Sequence, residues 1–338
     1  MSKVAKILLF VALGLILLGG GIFVIVASTN SFNFASSKNY ETKTYDVEGQ
    51  VSKFKFDVDV ADIVIKESQG EFKVDYIDSD RTEYTIKVED GTLQITEKAL
   101  KKITFSWMFS SKEEMVVYVP AGTYEDLSVD GSTSDVNVSG NLTFTNVTVK
   151  VSTGDVEYSA KIENDVDIKV STGNILVKGV AVHDATLNSS TGKISLEEVQ
   201  ANKIYAKAST GTVTLKDVNV AESVTVKVTT AKIDFTNVNA KSIDIDGDTG
   251  KKKFTNTIVQ EELKISSSTG DVIFESCDAG SIVIVTDTGD VKGTLLSEKI
   301  FYCQTDTGKV NVPKGTSGGL CDITTDTGDI KISIKGAE

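Results

Sequence analysis

The chain has 338 residues, 40 % of them hydrophobic, with 27 glycines but only two prolines. Its formal net charge is −13, from 48 acidic and 35 basic side chains, opposite in sign to the charge expected of a protein that binds nucleic acid or anionic lipid. The negative charge leads us to expect no nucleic-acid partner. The glycine, proline and hydrophobic content favours a β-rich repeat protein over two ordinary globular domains.

Residues 7–27 form an uncharged apolar segment that is long enough to cross the hydrocarbon core of a bilayer as one helix. Lysines occur within residues 1–6 and not again until Lys38, so the positive-inside rule predicts a single-pass protein of the cell membrane with a cytoplasmic N-terminus and an extracellular C-terminal domain. A cleaved signal peptide has the same order of charges, although its apolar segment is usually shorter.

The next part of the chain is predicted to be a tether followed by an irregular cap. Residues 28–45 are rich in serine, asparagine and threonine, as in a polar tether. Residues 46–125 are β-like but less regular than the repeats that follow, as the atypical end of a repeat protein often is. Within them, residues 54–65 alternate like one degenerate coil, and residues 84–96 turn at an Asp-Gly pair and predict a β-hairpin.

One dense aromatic stretch, residues 103–109, contains the only tryptophan. Its alternation fits the inward face of a capping strand. Alternatively, Trp107, Met108 and Phe109 form an exposed interaction tip for the membrane surface or for a protein partner.

Residues 126–338 consist of repeats of 19 or 20 residues, each marked by a Ser/Asp-Thr-Gly corner. Apolar residues alternate on both sides of every corner, which predicts strands with one buried face. One coil buries too little apolar surface to offset its chain entropy, so the coils must stack and share a core. The sequence therefore predicts an all-β protein, a β-solenoid of about eleven coils. The corner copies begin at Ser132, Ser152, Ser171, Ser190, Ser209, Thr229, Asp248, Ser268, Asp287, Asp306 and Asp326.

The corner residues carry their own predictions. Glycine can adopt a positive φ where the chain turns, so the corners at Ser134 and Ala231, which lack glycine, are expected to differ. The threonine before the glycine falls on the inward parity, which predicts a buried ladder of hydroxyl groups.

The segment Val116 to Leu127, with the sequence Val-Val-Tyr-Val-Pro-Ala-Gly-Thr-Tyr-Glu-Asp-Leu, precedes the run of Thr-Gly-Asp-Val copies. This order resembles the bacterial "putative adhesin" family known as domain of unknown function 4097, over most of residues 46–338. The resemblance implies a right-handed β-solenoid in an envelope protein that often has an N-terminal membrane segment. It implies no catalytic residue.

Aspartates recur at the corners of the later copies. Asp287, Asp306 and Asp326 precede Thr-Gly, while Asp290 and Asp329 follow the glycine, so stacking predicts columns of carboxylates. Like charges about 5 Å apart repel by roughly 1 kcal/mol in water, and a bound calcium ion would relieve this repulsion. The alternative is a solvated acidic face with lysines as counter-charges, since no EF-hand-like or nonapeptide calcium loop accompanies the columns. No other cofactor is expected.

The remaining reactive side chains fit structural roles. Cys277, Cys303 and Cys321 fall on inward positions, which predicts buried free thiols, and the last two lie two residues out of register, which disfavours a disulfide. His183 is the only histidine, is predicted in a surface loop, and has no nucleophile elbow nearby.

These observations predict a non-enzymatic adhesion, scaffold or envelope-interaction module whose partner is an envelope protein or a cell-wall polymer. An accessory of an envelope-stress or signalling system is the alternative, and it would need a membrane partner because the cytoplasmic stretch is so short. A polysaccharide-active enzyme with a β-helical fold fits less well, because it needs catalytic carboxylates in a groove lined by aromatics, and outward aromatics are few.

Overall fold

The computed structural model describes residues 41–78, 82–99 and 114–335, all of which belong to one compact unit. This part of the chain is all-β. It includes no helix of the length and apolarity needed to span a membrane. Several predicted elements lie outside the described residues: the cytoplasmic residues 1–6, the transmembrane segment 7–27, most of the tether 28–45, and the tip at Trp107, Met108 and Phe109.

Twenty-four strands make up the described part. The first twelve are β1 (Glu41–Asp46), β2 (Lys53–Val58), β3 (Asp62–Ser68), β4 (Lys73–Asp78), β5 (Thr82–Glu89), β6 (Thr92–Ala99), β7 (Glu114–Pro120), β8 (Gly122–Thr133), β9 (Val136–Ser139), β10 (Leu142–Thr153), β11 (Val156–Tyr158) and β12 (Lys161–Ile162). The others are β13 (Asp165–Thr172), β14 (Ile175–Lys178), β15 (Ala181–Glu197), β16 (Gln200–Thr249), β17 (Lys252–Thr255), β18 (Ile258–Thr269), β19 (Val272–Thr288), β20 (Val291–Leu295), β21 (Lys299–Thr307), β22 (Val310–Asn311), β23 (Gly319–Thr327) and β24 (Ile330–Ile334).

Parallel pairing with a shift of one repeat stacks the strands into a solenoid. Val149 of β10, for instance, lies beside Val129 of β8 and Ile168 of β13, and all three side chains are buried. Because successive side chains of a strand point to opposite faces, this register places each inward residue beside its counterpart in the next coil. The result is a β-solenoid of about ten turns, close to the eleven coils predicted, around one apolar core.

The corner glycines are required by a close approach between coils as well as by backbone conformation. Gly154 and Gly173 have φ angles of 147° and 143°, which L residues rarely adopt. A Cβ atom on Gly173 would overlap the carbonyl oxygen of Gly154 in the preceding coil. The corners at Ser134 and Ala231 do differ, as predicted: φ is not positive there, and both side chains are buried.

The prediction of a buried threonine ladder at the corners is wrong. Thr153, Thr172 and Thr191 are paired in register, but their side chains are exposed. Val151, two residues before Thr153, is buried, so the inward parity of the strand ends before the threonine. The chain bends at the corner, and an alternation counted through the bend assigns the wrong face.

The first coil in the sequence is not the first in the stack. β2 pairs with β6 on one side and with β8 on the other, and β3 lies likewise between β7 and β9. Residues 53–68 therefore form a full coil inside the stack, which confirms the degenerate coil predicted over residues 54–65.

Antiparallel strands cover the outermost coil at the end of the stack that contains β6 and β7. β5 pairs with β6 as the predicted hairpin, which turns at Asp90 and Gly91 with φ angles of 49° and 71°. β4 pairs antiparallel with β7, and β1 with β4. These strands cap the edges of β6 and β7 at the end of the solenoid where the described chain begins.

The opposite end repeats the insertion without the cap. β23 lies between β19 and β21, and β24 lies between β20 and β22. Residues 319–334, the last coil in the sequence, are thus inserted before residues 299–311, which end the stack. Within the described residues β21 and β22 have one partner strand each, so their outer edges are unpaired.

Candidate binding surfaces

The three aspartates that precede Thr-Gly in the last copies form one exposed column. Thr327 pairs with Thr288 on one side and with Thr307 on the other. The order along the rod is therefore Asp287, Asp326 and Asp306 rather than the order of the sequence, because the last coil is inserted. All three side chains are exposed.

The aspartates that follow the glycine accept hydrogen bonds from the backbone of the neighbouring coil. Asp271 Oδ1 accepts from the Asp290 amide at 3.1 Å, Asp290 Oδ1 from the Asp329 amide at 3.0 Å, and Asp329 Oδ1 from the Lys309 amide at 2.8 Å. The Asp329 amide and the Lys292 ammonium together lower the pKa of Asp290 below its usual value. These carboxylates therefore stabilise the corner as hydrogen-bond acceptors.

The same ladder runs along the first coils. Asp62 Oδ1 accepts from the Asp135 amide at 2.8 Å, Asp135 Oδ1 from the Asp155 amide at 2.8 Å, and Asp155 Oδ1 from the Asn174 amide at 2.7 Å. Asn174 Oδ1 then accepts from the Lys193 amide at 2.9 Å. This role was not predicted from the sequence, although the recurrence of Asp or Asn directly after the corner glycine is a signal for it.

One group of three potential metal ligands occurs among the described residues: Asp165, His183 and Asp184. Their ligand atoms lie within 4.8 Å of one another. His183 Nδ1 lies 3.5 Å from Asp165 Oδ1 and 3.4 Å from Asp184 Oδ1. His183 is exposed, as predicted, but it lies in β15 rather than in a loop. The five aspartates proposed for calcium do not form such a group, and calcium binding by them stays a prediction.

A groove with a volume of about 460 Å³ runs across several coils beside the corners. Its floor includes Val151, Val170 and Ser189, which are buried. Lysine and serine side chains that repeat from coil to coil form its walls. The wall residues are Lys150, Lys169, Asn188, Lys207, Ser152, Ser171, Ser190 and Ser209, and Asp130 lines the groove at one end.

The uncapped end of the solenoid exposes apolar side chains. Five of the seven large hydrophobic residues that are exposed in the described part of the chain lie here, and Tyr302 is 70 % exposed. Ile300 of β21 pairs with Leu320 of β23, so apolar side chains continue across neighbouring strands. The five residues, which we call the apolar end, are Leu296, Ile300, Tyr302, Val310 and Leu320.

A lysine is buried in the solenoid core. Lys252 is 0 % exposed and occupies a position that pairs with Ile233 and Val272. Its ammonium group hydrogen-bonds to Ser267 Oγ and to the Gly247 carbonyl oxygen at 3.4 Å. Burial lowers the pKa of Lys252 to about 8, although Asp248 opposes the shift. The signal in the sequence was a lysine at a position that is apolar in other copies.

A second buried cation forms an ion pair near the uncapped end. Lys299 is 3 % exposed, and its ammonium group lies 2.6 Å from Asp278 Oδ1 and 2.6 Å from Ser297 Oγ. An ammonium group out of contact with water needs such partners, because its desolvation is costly. This pair is a structural contact between coils.

The cysteines are free thiols, as predicted. Cys277 and Cys321 are buried, whereas Cys303 is only partly buried because it lies in residues 299–311, the outermost coil of the stack. Cys321 pairs with Phe301, so Cys303 and Cys321 are two residues out of register, as predicted. Burial raises the pKa of Cys303 to about 11 and that of Cys321 to about 12, so neither thiol is an activated nucleophile at neutral pH.

Several solved structures are similar to this chain. A "putative adhesin" from Parabacteroides distasonis is 15 % identical, with a TM-score of 0.44 over 88 % of this chain and 98 % of that chain. A "putative lipid binding protein" from the same species is 14 % identical, with a TM-score of 0.38 over 85 % and 97 %. A "putative adhesin" from Bacteroides fragilis is 16 % identical, with a TM-score of 0.32 over 88 % and 98 %.

No curated protein sequence matches the chain. The family described as Toastrack DUF4097, in contrast, matches residues 51–235 and 218–338, which together include almost all of the solenoid and its cap. The repeat with its Thr-Gly corners lies within these matches. The chain belongs to the Toastrack DUF4097 family.

Proposed function

We propose that the protein is a non-enzymatic interaction module on the outside of the bacterial cell. In this proposal residues 7–27 anchor it in the cell membrane, residues 1–6 are cytoplasmic, and the solenoid is extracellular. Membership of the Toastrack family and the β-solenoid architecture support an adhesion-like surface module.

The observation that carries the proposal is the difference between the two ends of the solenoid. The end where the described chain begins is covered by the antiparallel strands β1, β4 and β5. The other end has the unpaired edges of β21 and β22 together with the apolar end. A soluble protein normally protects such an edge, because unpaired strand groups and apolar side chains favour association with another chain.

The chemistry of the uncapped end favours a protein partner that adds a strand. The outer edge of β21 offers backbone N–H and C=O groups in a parallel register, and Ile300 and Tyr302 give it apolar contacts on one face. Strand addition uses these two kinds of contact together: the backbone supplies affinity and the alternate side chains supply specificity.

The described surfaces give little support for catalysis. The only histidine, His183, is exposed beside two aspartates and does not line the groove that runs across the coils. The three thiols are buried or partly buried, and burial raises the pKa of each. One hydroxyl does contact a lysine of lowered pKa, Ser267 beside Lys252, but both side chains are buried in the core, where a substrate would not reach them.

Cross-linking on intact cells tests the proposal. A photoreactive residue replaces Tyr302 in one variant and Glu157, an exposed residue on the side of the solenoid, in the control. We expect one envelope protein to be captured from position 302 and not from position 157. Equal capture from both positions, or none, would contradict binding at the apolar end. Capture of a membrane protein with a cytoplasmic signalling domain would favour the alternative role as a signalling accessory.

Two further parts of the proposal have direct tests. Deletion of residues 7–27 should release the protein from the membrane fraction, whereas a cleaved signal peptide would leave the mature wild-type chain already soluble. A third photoreactive variant at Trp107 tests the predicted tip of Trp107, Met108 and Phe109 in the same cross-linking experiment.

A further inference from the structure

We call the groove lined by Lys150, Lys169, Lys207 and the four corner serines the lysine–serine groove. We propose that it binds a linear extracellular polymer that carries repeated phosphate groups, such as a phosphodiester-linked polyol. The inference rests on the proposed location outside the cell. The groove lies on the side of the solenoid, away from the apolar end, so it would be a second binding surface with a ligand of a different class.

The strand register aligns the cationic side chains across the coils. Lys150 pairs with Lys169, Lys169 with Asn188, and Asn188 with Lys207. Lys227 has the same place, three residues before the corner threonine, one repeat later. Adjacent strands lie about 4.8 Å apart, so the four lysines extend over about 19 Å along the rod. We call these four residues, with Asn188 between them, the lysine column.

The lysine column has defined limits. Asp130 pairs with Lys150 on one side, and Asp246 has the equivalent place one repeat after Lys227. A cationic run bounded by aspartates, on a chain with a net charge of −13, is a local site rather than part of a generally basic surface. Its length suits a few anionic groups of a chain that lies along the rod.

The charges of the lysine column are mostly not neutralised by the protein. Lys169 forms an ion pair with Asp167 at 2.7 Å. Lys150, Lys207 and Lys227 have exposed side chains and no ion pair with any described residue. Three ammonium groups therefore remain available for an anionic ligand.

A second column supplies hydroxyl groups beside the ammonium groups. Ser152, Ser171, Ser190 and Ser209 come directly before the paired corner threonines, so they repeat with the same spacing as the lysines. They line the same groove, whose volume of about 460 Å³ gives room for an extended chain above the buried floor. Ammonium and hydroxyl groups can both donate hydrogen bonds to phosphate oxygens.

The residue types favour phosphate over carboxylate. Carboxylates are recognised most specifically by the planar fork of arginine, and the only arginine of the chain, Arg81, is far from the groove in sequence. Lysine acts as a point charge and is a frequent phosphate ligand. A flexible polyol-phosphate chain could place one phosphate near each ammonium group in turn, whereas double-stranded DNA is too wide to enter a groove between side chains of one sheet.

The experiment measures binding of the purified full-length chain to poly(glycerol phosphate) at several salt concentrations. In the test variant Lys150, Lys169, Lys207 and Lys227 are replaced by glutamine. In the control variant the same number of exposed lysines elsewhere are replaced by glutamine, so that the net charge changes equally. The control lysines, which form no ion pair within the described part of the chain, are Lys161, Lys216, Lys232 and Lys331.

We expect the test variant to bind at least about tenfold more weakly, with a smaller dependence of affinity on salt, and the control variant to bind within about twofold of the wild type. Equal losses in both variants, or no binding by the wild type, would overturn the inference. Equally tight binding of polygalacturonate or of double-stranded DNA would overturn the assignment to polyol-phosphate. Because binding is measured on purified protein, this result can fail while the cross-linking at Tyr302 succeeds, and the reverse.

Discussion

Replacing a corner glycine by alanine tests how closely the coils approach each other. In Gly173→Ala the new Cβ atom would meet the carbonyl oxygen of Gly154, at a backbone φ of 143°. The strained backbone costs about 1 to 3 kcal/mol, and the overlap in a closely packed site costs about the same again. We therefore expect the free energy of unfolding to fall by about 2 to 6 kcal/mol.

A matched variant separates the two causes. Gly179 also has a positive φ, of 66°, but a Cβ atom there would meet nothing within 4 Å. Gly179→Ala should thus cost only the backbone term, about 1 to 2 kcal/mol. Ala231→Gly is the third variant, and it removes a side chain from a corner whose backbone already accepts one.

Urea unfolding followed by far-ultraviolet circular dichroism measures all three variants. Stability in a solenoid accumulates through contacts between neighbouring coils, so a defect at one contact can also divide the unfolding transition in two and lower its m-value. If Gly173→Ala and Gly179→Ala lose the same free energy with unchanged m-values, the close approach of the coils is not what requires glycine at the corner.

The other predictions concern buried ionisable groups. Because burial lowers the pKa of Lys252 to about 8, this residue binds more protons in the unfolded chain between about pH 8 and 10.5, so it should contribute a rise in stability of at most about 3 kcal/mol over this window. The thiols, whose pKa values burial raises, act in the opposite direction, so the test compares the wild type with Lys252→Met in urea melts at about pH 7 and pH 10. The stability of the wild type relative to Lys252→Met should increase between the two pH values, and an unchanged difference would refute the prediction. Asp278→Ala should lower the free energy of unfolding by about 3 to 5 kcal/mol, because it leaves the Lys299 ammonium buried without its carboxylate partner. Lys299→Met should lower it by less, because the Asp278 carboxylate reaches water. Equal shifts in the melting temperatures of the two variants would refute this asymmetry. A thiol reagent at pH 8 should label Cys303, in the outermost coil, before Cys321, with Cys303→Ser as the control. Simultaneous labelling would show that the outermost coil, residues 299–311, unfolds no more readily than its neighbour.

Much of the fold could be predicted because the same sequence pattern recurs in every repeat. The spacing of 19 or 20 residues and the alternation around each corner specify the inward face of every coil, and residues such as Val149 and Ile168 are buried accordingly. The hairpin at Asp90-Gly91 follows from local turn chemistry alone. These features depend on neighbours in sequence or on a single period, so they need no knowledge of long-range contacts.

The candidate surfaces were harder to predict. The aspartate columns suggested calcium binding at Asp290 and Asp329, whose carboxylates accept hydrogen bonds from backbone amides of the neighbouring coil. The lysine column could have been read from the same register, since Lys150 and Lys169 are one repeat apart, but isolated surface lysines carry no signal until strand pairing brings them side by side. The apolar end needed the structure, because the period does not show which coil lies outermost or that the strand edge beside Ile300 and Tyr302 is unpaired.

The sequence by itself determined the repeat, the direction of the side chains in the strands up to the bend at each corner, and the corners that need glycine. The tertiary structure alone decided the order in which the terminal coils stack: residues 53–68 and 319–334 are each inserted one place inside their end of the solenoid. Coils with the same inward pattern can pair with one another in any order, so the period cannot encode which coil lies outermost. That choice depends on which edge strands are covered, and it leaves one end capped and the other open.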